Sequence, residues 1–255
     1  MSIPNASPLP NSSPLPTASL RGARVALVGG GSGIGLAVAR IAVAAGASVL
    51  LGGRTAAKLE AAAASLGPDV EWRTVDTADA ASAAAFFDGA GPIDAVLTTA
   101  ADYVVSSFRD GSEEEARSPF ESKFWGQYRV ARAALPTLSE GASVVLMSGA
   151  ASVRPAGPAA PYVAANAAIE GLARGLAIEL APIRVNAIAP GTVDGSLWAG
   201  RPDAVREAAF RQFSEATALG RPGREEEIAA AVVHLFTNTY TTGSTLYVDG
   251  GYALR

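Results

Sequence analysis

The chain has 255 residues, 49% of them hydrophobic and 17% charged, with a formal net charge of −4; that length supports one large core, so two domains are not required. An acidic balance without a basic run argues against nucleic acid or an anionic membrane surface as partner, and points to a small molecule. With no cysteine and the single histidine His234, disulfides, thiolate catalysis and a Cys/His metal cluster are excluded, and no metal is expected.

The first twenty residues, MSIPNASPLPNSSPLPTASL, are rich in Pro and Ser, hold no lysine or arginine, and lack an apolar run of signal-peptide length. They predict a disordered tail, with one domain over residues 21–255. The nearest approach to a membrane span, IGLAVARIAVAAGASVLL, is interrupted by Arg40 and by glycines, so a soluble, cytoplasmic protein with no membrane partner is expected.

Seven short apolar runs follow in order: RVALVG, SVLL, VEWRTV, IDAVLT, SVVLM, RVNAIA and TLYVDG. Helix-length, Ala-rich segments separate them. This β–α alternation predicts an α/β fold, a doubly wound parallel sheet of about seven strands with helices on both faces. The first run leads into VGGGSGIGLAVAR, where Gly29, Gly33 and Gly35 fall in a strand–turn–helix setting. Absent side chains there let the backbone turn sharply and present N–H groups to a pyrophosphate at a helix N-terminus.

Two further segments carry chemistry. SPFE predicts a helix start, with Ser118 as N-cap, Pro119 as first helical residue and Glu121 as reciprocal capping partner; the helix would carry Phe120, Phe124, Tyr128 and Ala131 on one face. PYVAANAAIEG, residues 161–171, sets Tyr162 and Asn166 four apart on one helical face. A phenol, with an ordinary pKa of about 10, needs a positive neighbour to exchange protons near neutrality, and an asparagine carries no charge.

The spacing G-x-x-x-G-x-G, together with Tyr162, RVNAIAPG at 184–191 and TGSTLYVDGG at 242–251, resembles the short-chain dehydrogenase/reductase family over about residues 22–252. The resemblance implies a Rossmann-type fold, a bound NAD(P), a homotetramer or dimer, and hydride transfer between nicotinamide and a carbonyl or alcohol carbon, with Tyr162 as proton donor or acceptor. It also implies cofactor contacts from Gly29, Gly31, Ser32, Gly33, Ile34 and Gly35, although Val28 stands where the family has threonine. Asp76 and Thr77 after the third strand join them, with Thr99, Ala100 and Ala101 in TTAA, where relatives have Asn-Asn-Ala-Gly. Tyr162, Asn166, Pro190, Gly191 and Val193 complete the set. NAD enzymes place a carboxylate at the end of the second strand; here Gly52 and Gly53 are followed by Arg54, which suits a 2′-phosphate, so NADP(H) is expected over NAD.

The catalytic positions depart from the family. Asn166 occupies the place of its lysine, and Lys123 in FESKFWGQY stands where its asparagine is expected, a reciprocal exchange. A unit charge ~4 Å from the phenol at an effective dielectric near 20 is worth about 4 kcal/mol, roughly three pKa units. Thirteen residues before Tyr162, the family's serine position, lies Gly149. Ser148 beside it is the candidate replacement, provided the strand bulges or the alignment slips by one. The expected catalytic set is thus Tyr162, Lys123, Asn166 and Ser148. The segment at about 192–224 would cover an apolar substrate, with Trp198, Phe210 and Phe213 as possible contacts. Two other readings stay open: a non-redox enzyme on this scaffold (isomerase, cyclase or lyase), and a cofactor-binding sensor or assembly subunit without catalysis.

Overall fold

Continuous apolar runs, rather than alternating ones, are what a parallel sheet buried on both faces requires. The computed structural model describes residues 19–254 and puts those runs in β1 (Arg24–Val28), β2 (Ser48–Gly53), β3 (Val70–Thr74), β4 (Ile93–Thr98), β5 (Leu138–Met147), β6 (Arg184–Pro190) and β9 (Thr245–Val248). They form one seven-stranded parallel sheet in the order β3-β2-β1-β4-β5-β6-β9. Two short strands, β7 (Val193–Asp194) and β8 (Gly223–Arg224), pair separately.

The helices are α1 (Gly33–Ala44), α2 (Ala56–Leu66), α3 (Ala80–Phe87), α4 (Glu113–Pro119), α5 (Gly126–Ala134), α6 (Ala160–Glu179), α7 (Ser196–Ala199), α8 (Asp203–Ala216) and α9 (Glu225–Thr237). Alternate strand residues face opposite layers. Val25, Leu27 and Leu51 pack with Val38 of α1 and Ile228 of α9. Ala26, Leu50 and Val96 pack with Phe86 of α3, Val130 of α5 and Ile169 of α6. Full burial of a side chain the size of Phe86 contributes about 1.5–3 kcal/mol, and the Ala-rich helix faces combine high helix propensity with close approach to the sheet. The strand order reverses between β1 and β4, which opens a crevice at the carboxyl ends of those strands.

Two expectations need correction. The predicted tail reaches too far: residues 1–18 lie outside the described residues, but Leu20 is buried in the core. The helix around SPFE starts earlier than expected. Ser112 is the N-cap of α4, its Oγ accepting from the Glu115 N–H while the Glu115 carboxylate accepts from the Ser112 N–H, and three glutamates in the first turn suit the positive end of the helix dipole. Ser118 instead lies inside α4 and accepts from the Val104 N–H at 3.0 Å. Pro119 has no N–H to give to the helix ladder, and the next six residues, Phe120–Trp125, adopt a π-helical turn before α5 resumes. That wider turn shifts the helical register and carries Lys123 inward.

Candidate active site

The crevice is built first by glycines. Gly29 has φ +94°, and a Cβ there would lie 2.2 Å from Thr99 Oγ1 and 2.8 Å from the Ala100 N. A Cβ on Gly35 would lie 2.3 Å from the Gly29 carbonyl oxygen. Ser32, the N-cap of α1, makes no side-chain capping bond, so the first-turn N–H groups are open to an anion. A cleft of about 360 Å³ starts here and takes in Gly31, Ser32, Arg54, Lys58, Asp76 and Thr77, together with Ala100 and Ala101. Arg54 and Lys58 bring two cationic side chains to its lining. Arg54 also meets Asp102 at 3.1 Å, with both side chains exposed, a pair worth little in water. The cradle that a Cβ would fill, the open helix end and these cations together fit an elongated, phosphate-bearing dinucleotide. Gly35→Ala is therefore expected to abolish measurable dinucleotide binding, because the clash falls on backbone; fluorescence titration with NADPH checks it.

The remaining residues expected at the cofactor divide. Thr99 braces the turn from behind, its Oγ1 at 3.4 Å from the Gly29 oxygen. Ile34 packs on the core. Pro190 closes β6, and the Gly191 N–H is occupied by the Val248 oxygen at 3.1 Å. Val193 lies in β7 and packs on the core.

The residues expected at the reacting centre meet where α6 faces the π-helical turn. Lys123, expected in the catalytic set, is only 4% exposed. Its Nζ donates to the Ser148 carbonyl oxygen at 2.8 Å and to Asn166 Oδ1, and it sits 5.3 Å from the centre of the Tyr162 ring. The Asn166 Nδ2 donates to the Tyr162 carbonyl oxygen at 2.8 Å. Lys123, Asn166 and Tyr162 thus share one pocket. Burial alone would raise the Tyr162 pKa. The Lys123 charge, a hydrogen bond from Tyr103 and the Asn166 amide outweigh it, and the phenol is held below its usual value. Lys123 is itself lowered from the usual lysine value by burial, against the pull of Tyr162 and Glu170.

Ser148 does not fit the role expected of it. Its Oγ points into the interior, 2.9 Å from Glu170 Oε1 and 3.1 Å from the Asn166 carbonyl oxygen, because adjacent residues at a strand end face opposite sides. The other oxygen of Glu170 accepts from the Tyr247 hydroxyl at 2.9 Å. Gly149 is the residue that faces the phenol: a Cβ there would lie 3.4 Å from the Tyr162 hydroxyl.

Sequence reasoning missed Tyr103, Lys58 and Glu170. Tyr103 lies on the loop after β4, its ring stacked on Tyr162 with centroids 5.1 Å apart and its hydroxyl 3.4 Å from that of Tyr162. Fifty-nine residues separate the two, and no local periodicity connects them. Lys58 had a usable signal, four residues beyond Arg54 in the first turn of α2.

The segment after β6 folds as β7, α7, α8 and β8. Ser196 N–H donates to Glu225 Oε1 at 2.7 Å, which ties α7 near the glycine turn. Trp198 packs on Phe210 with ring centres 5.4 Å apart, which joins α7 to α8, and Phe213 on Tyr252 at 6.0 Å, which ties α8 to the turn after β9. Among the described residues no group of three or more His, Cys, Asp or Glu side chains is placed to hold a metal, and no helix is long and apolar enough to cross a membrane.

Comparison with known proteins identifies the family. A family model described as enoyl-(acyl carrier protein) reductase matches residues 28–253. Galactitol 2-dehydrogenase (L-tagatose-forming) of Cereibacter sphaeroides is 34% identical, over 92% of this chain and 96% of its own. The 3-oxoacyl-[acyl-carrier-protein] reductase FabG of Chlamydia muridarum is 32% identical, over 90% and 97%. A solved short chain oxidoreductase from Pseudomonas aeruginosa PAO1, bound to NADPH and described as containing an atypical catalytic center, superposes with a TM-score of 0.83 at 31% identity, covering 90% of this chain and 96% of that one. The MalC reductase/Diels-Alderase of Malbranchea aurantiaca superposes with a TM-score of 0.85 at 28% identity, over 92% and 98%. The chain belongs to the short-chain dehydrogenase/reductase family, whose members use a nicotinamide cofactor, and it is an oxidoreductase of that family.

Proposed function

We propose that the protein is an NADP(H)-dependent reductase or dehydrogenase of a small, apolar carbonyl or alcohol compound, in which Tyr162 moves the proton and Lys123 supplies the charge that lets it do so. The observation that carries this reading is the buried Lys123 ammonium beside Tyr162, joined to Asn166 in one hydrogen-bonded unit. When bound, the nicotinamide supplies or accepts the hydride. In reduction Tyr162 gives its proton to the carbonyl oxygen, and the phenolate left behind is stabilised by Lys123 until water reprotonates it. Asn166 fixes the lysine and, as an amide, holds it without competing for charge.

Arg54 and Lys58 favour the 2′-phosphate of NADP(H), as does the NADPH found in the Pseudomonas relative. Arg54→Ala is expected to weaken NADPH binding much more than NADH binding, since only NADPH carries the extra phosphate. Equal losses in paired titrations would remove this assignment. A homo-oligomer, dimer or tetramer, belongs to the same reading, with Trp125 and Ile178 leaving apolar surface exposed; sedimentation velocity measures it.

The test of the whole is a panel of ketones and alcohols that includes 2,2,2-trifluoroacetophenone, followed at 340 nm with NADPH or NADP⁺, beside Tyr162→Phe. Turnover that needs Tyr162 supports the reading, and binding of NADPH without any turnover counts against it. A non-redox activity is the second reading. It is favoured by Gly149, which leaves the family's serine position empty, and by the double name of the Malbranchea neighbour.

A further inference from the structure

We infer that the Tyr103 hydroxyl takes the place of the missing serine, as a second hydrogen-bond donor to the reacting oxygen beside Tyr162; this rests on the reading of Tyr162 as the proton-transferring group. Gly149 leaves no hydroxyl at the position that faces the phenol, and the Ser148 hydroxyl is engaged with Glu170. A carbonyl held only by Tyr162 would lack the second donor that polarises it. Tyr103 brings one from a different element. Its hydroxyl donates toward the Tyr162 oxygen at 3.4 Å, a long bond that a substrate oxygen between the two can replace.

The ring geometry fixes this hydroxyl. Tyr103 stacks on Tyr162 with an interplanar angle of 22°, and the Lys123 ammonium lies 5.9 Å from the centre of the Tyr103 ring and 5.3 Å from that of Tyr162. A stacked aromatic has few ways to swing its hydroxyl aside. The two phenols are also electrically different. Burial raises the Tyr103 pKa, closeness to Tyr162 and the bond between them raise it further, and the charge of Arg201 only partly opposes this. Tyr162 is lowered, with Lys123, Tyr103 and Asn166 together outweighing burial. One phenol therefore stays protonated and donates while its neighbour exchanges. In reduction the carbonyl carbon receives hydride from the reduced nicotinamide, the oxygen receives the Tyr162 proton, and Tyr103 ends with the proton it began with.

The test compares wild type, Tyr103→Phe, Tyr162→Phe, Gly149→Ser and the double variant Tyr103→Phe/Gly149→Ser. Tyrosinate absorbance near 295 nm is titrated without dinucleotide, and trifluoroacetophenone reduction is followed with NADPH. The tyrosine step absent in Tyr162→Phe should move to higher pH in Tyr103→Phe. The kcat should fall about 10²-fold, the range for one removed oxyanion donor, with the KM for NADPH little changed. A serine at 149 should restore both readouts in the Tyr103→Phe background; its Cβ needs only small shifts of the Asn166 and Tyr162 side-chain ends, 3.2 and 3.4 Å away. An unmoved step with unchanged kcat overturns the inference, as does a moved step with unchanged kcat, which would confine Tyr103 to tuning its neighbour. If Tyr162→Phe loses neither step nor turnover, the functional reading itself fails, a result separable from a silent Tyr103→Phe.

Discussion

Lys123→Met is expected to lower turnover by roughly 10²-fold, at the lower end of what a positioned proton-transfer group contributes, and to move the pH midpoint of alcohol oxidation upward. Oxidation needs the Tyr162 phenolate, so its rate rises with pH through the Tyr162 pKa. Burial pushes that pKa up, and the Lys123 charge is the largest of the effects pulling it down. Removing the charge leaves burial less opposed, so the midpoint rises. For reduction, which uses the phenol, the falling limb moves up as well, but the maximal rate drops because the phenolate formed has lost its ammonium. Methionine keeps the volume of the side chain and removes a cation that is costly to bury, so the melting temperature should change far less than the rate. An unchanged profile and rate would mean that Tyr162 works without Lys123.

Exchanging the two partners gives the second large effect. Lys123→Asn alone should lose activity, since it removes the charge that pulls the Tyr162 pKa down. Asn166→Lys alone places a second ammonium against the Lys123 Nζ, where Asn166 Oδ1 now accepts from it. Leaving a buried charge unpaired costs about 3–5 kcal/mol in comparable sites, so this variant should be strongly destabilised as well as impaired. The double variant Lys123→Asn/Asn166→Lys restores one ammonium and one amide to the same pocket, and should recover both folding and turnover. Thermal unfolding and kcat/KM measured on all four proteins form a double-mutant cycle with a large coupling energy. Additive losses would show that the two side chains do not act as a unit.

How far the site was legible follows from where each residue's environment originates. The glycine turn could be read because its spacing is local: the backbone of Gly35 touches that of Gly29, six residues away. The position of Arg54 could be read because it directly follows β2. The start of α4 was misplaced because two capping patterns, at Ser112 and at Ser118, lie six residues apart, and only tertiary contact shows Ser118 bonded to the Val104 N–H. Ser148 and Gly149 are neighbours in sequence, yet the extended backbone just after β5 sends one inward to Glu170 and leaves the other facing Tyr162.

By itself, the sequence determined the layered fold and the glycine turn between β1 and α1. Apolar runs long enough for a strand but not alternating in polarity must be buried on both faces, and a glycine turn between strand and helix is a property of a dozen adjacent residues. Only the tertiary structure decided which groups meet Tyr162. Lys123 is brought inward by a π-helical turn after Pro119, and Tyr103 arrives from a loop 59 residues away. Periodicity and capping are encoded within one or two turns of chain, whereas the charge, burial and hydrogen bonding of a phenol are set by whatever the packed elements bring beside it.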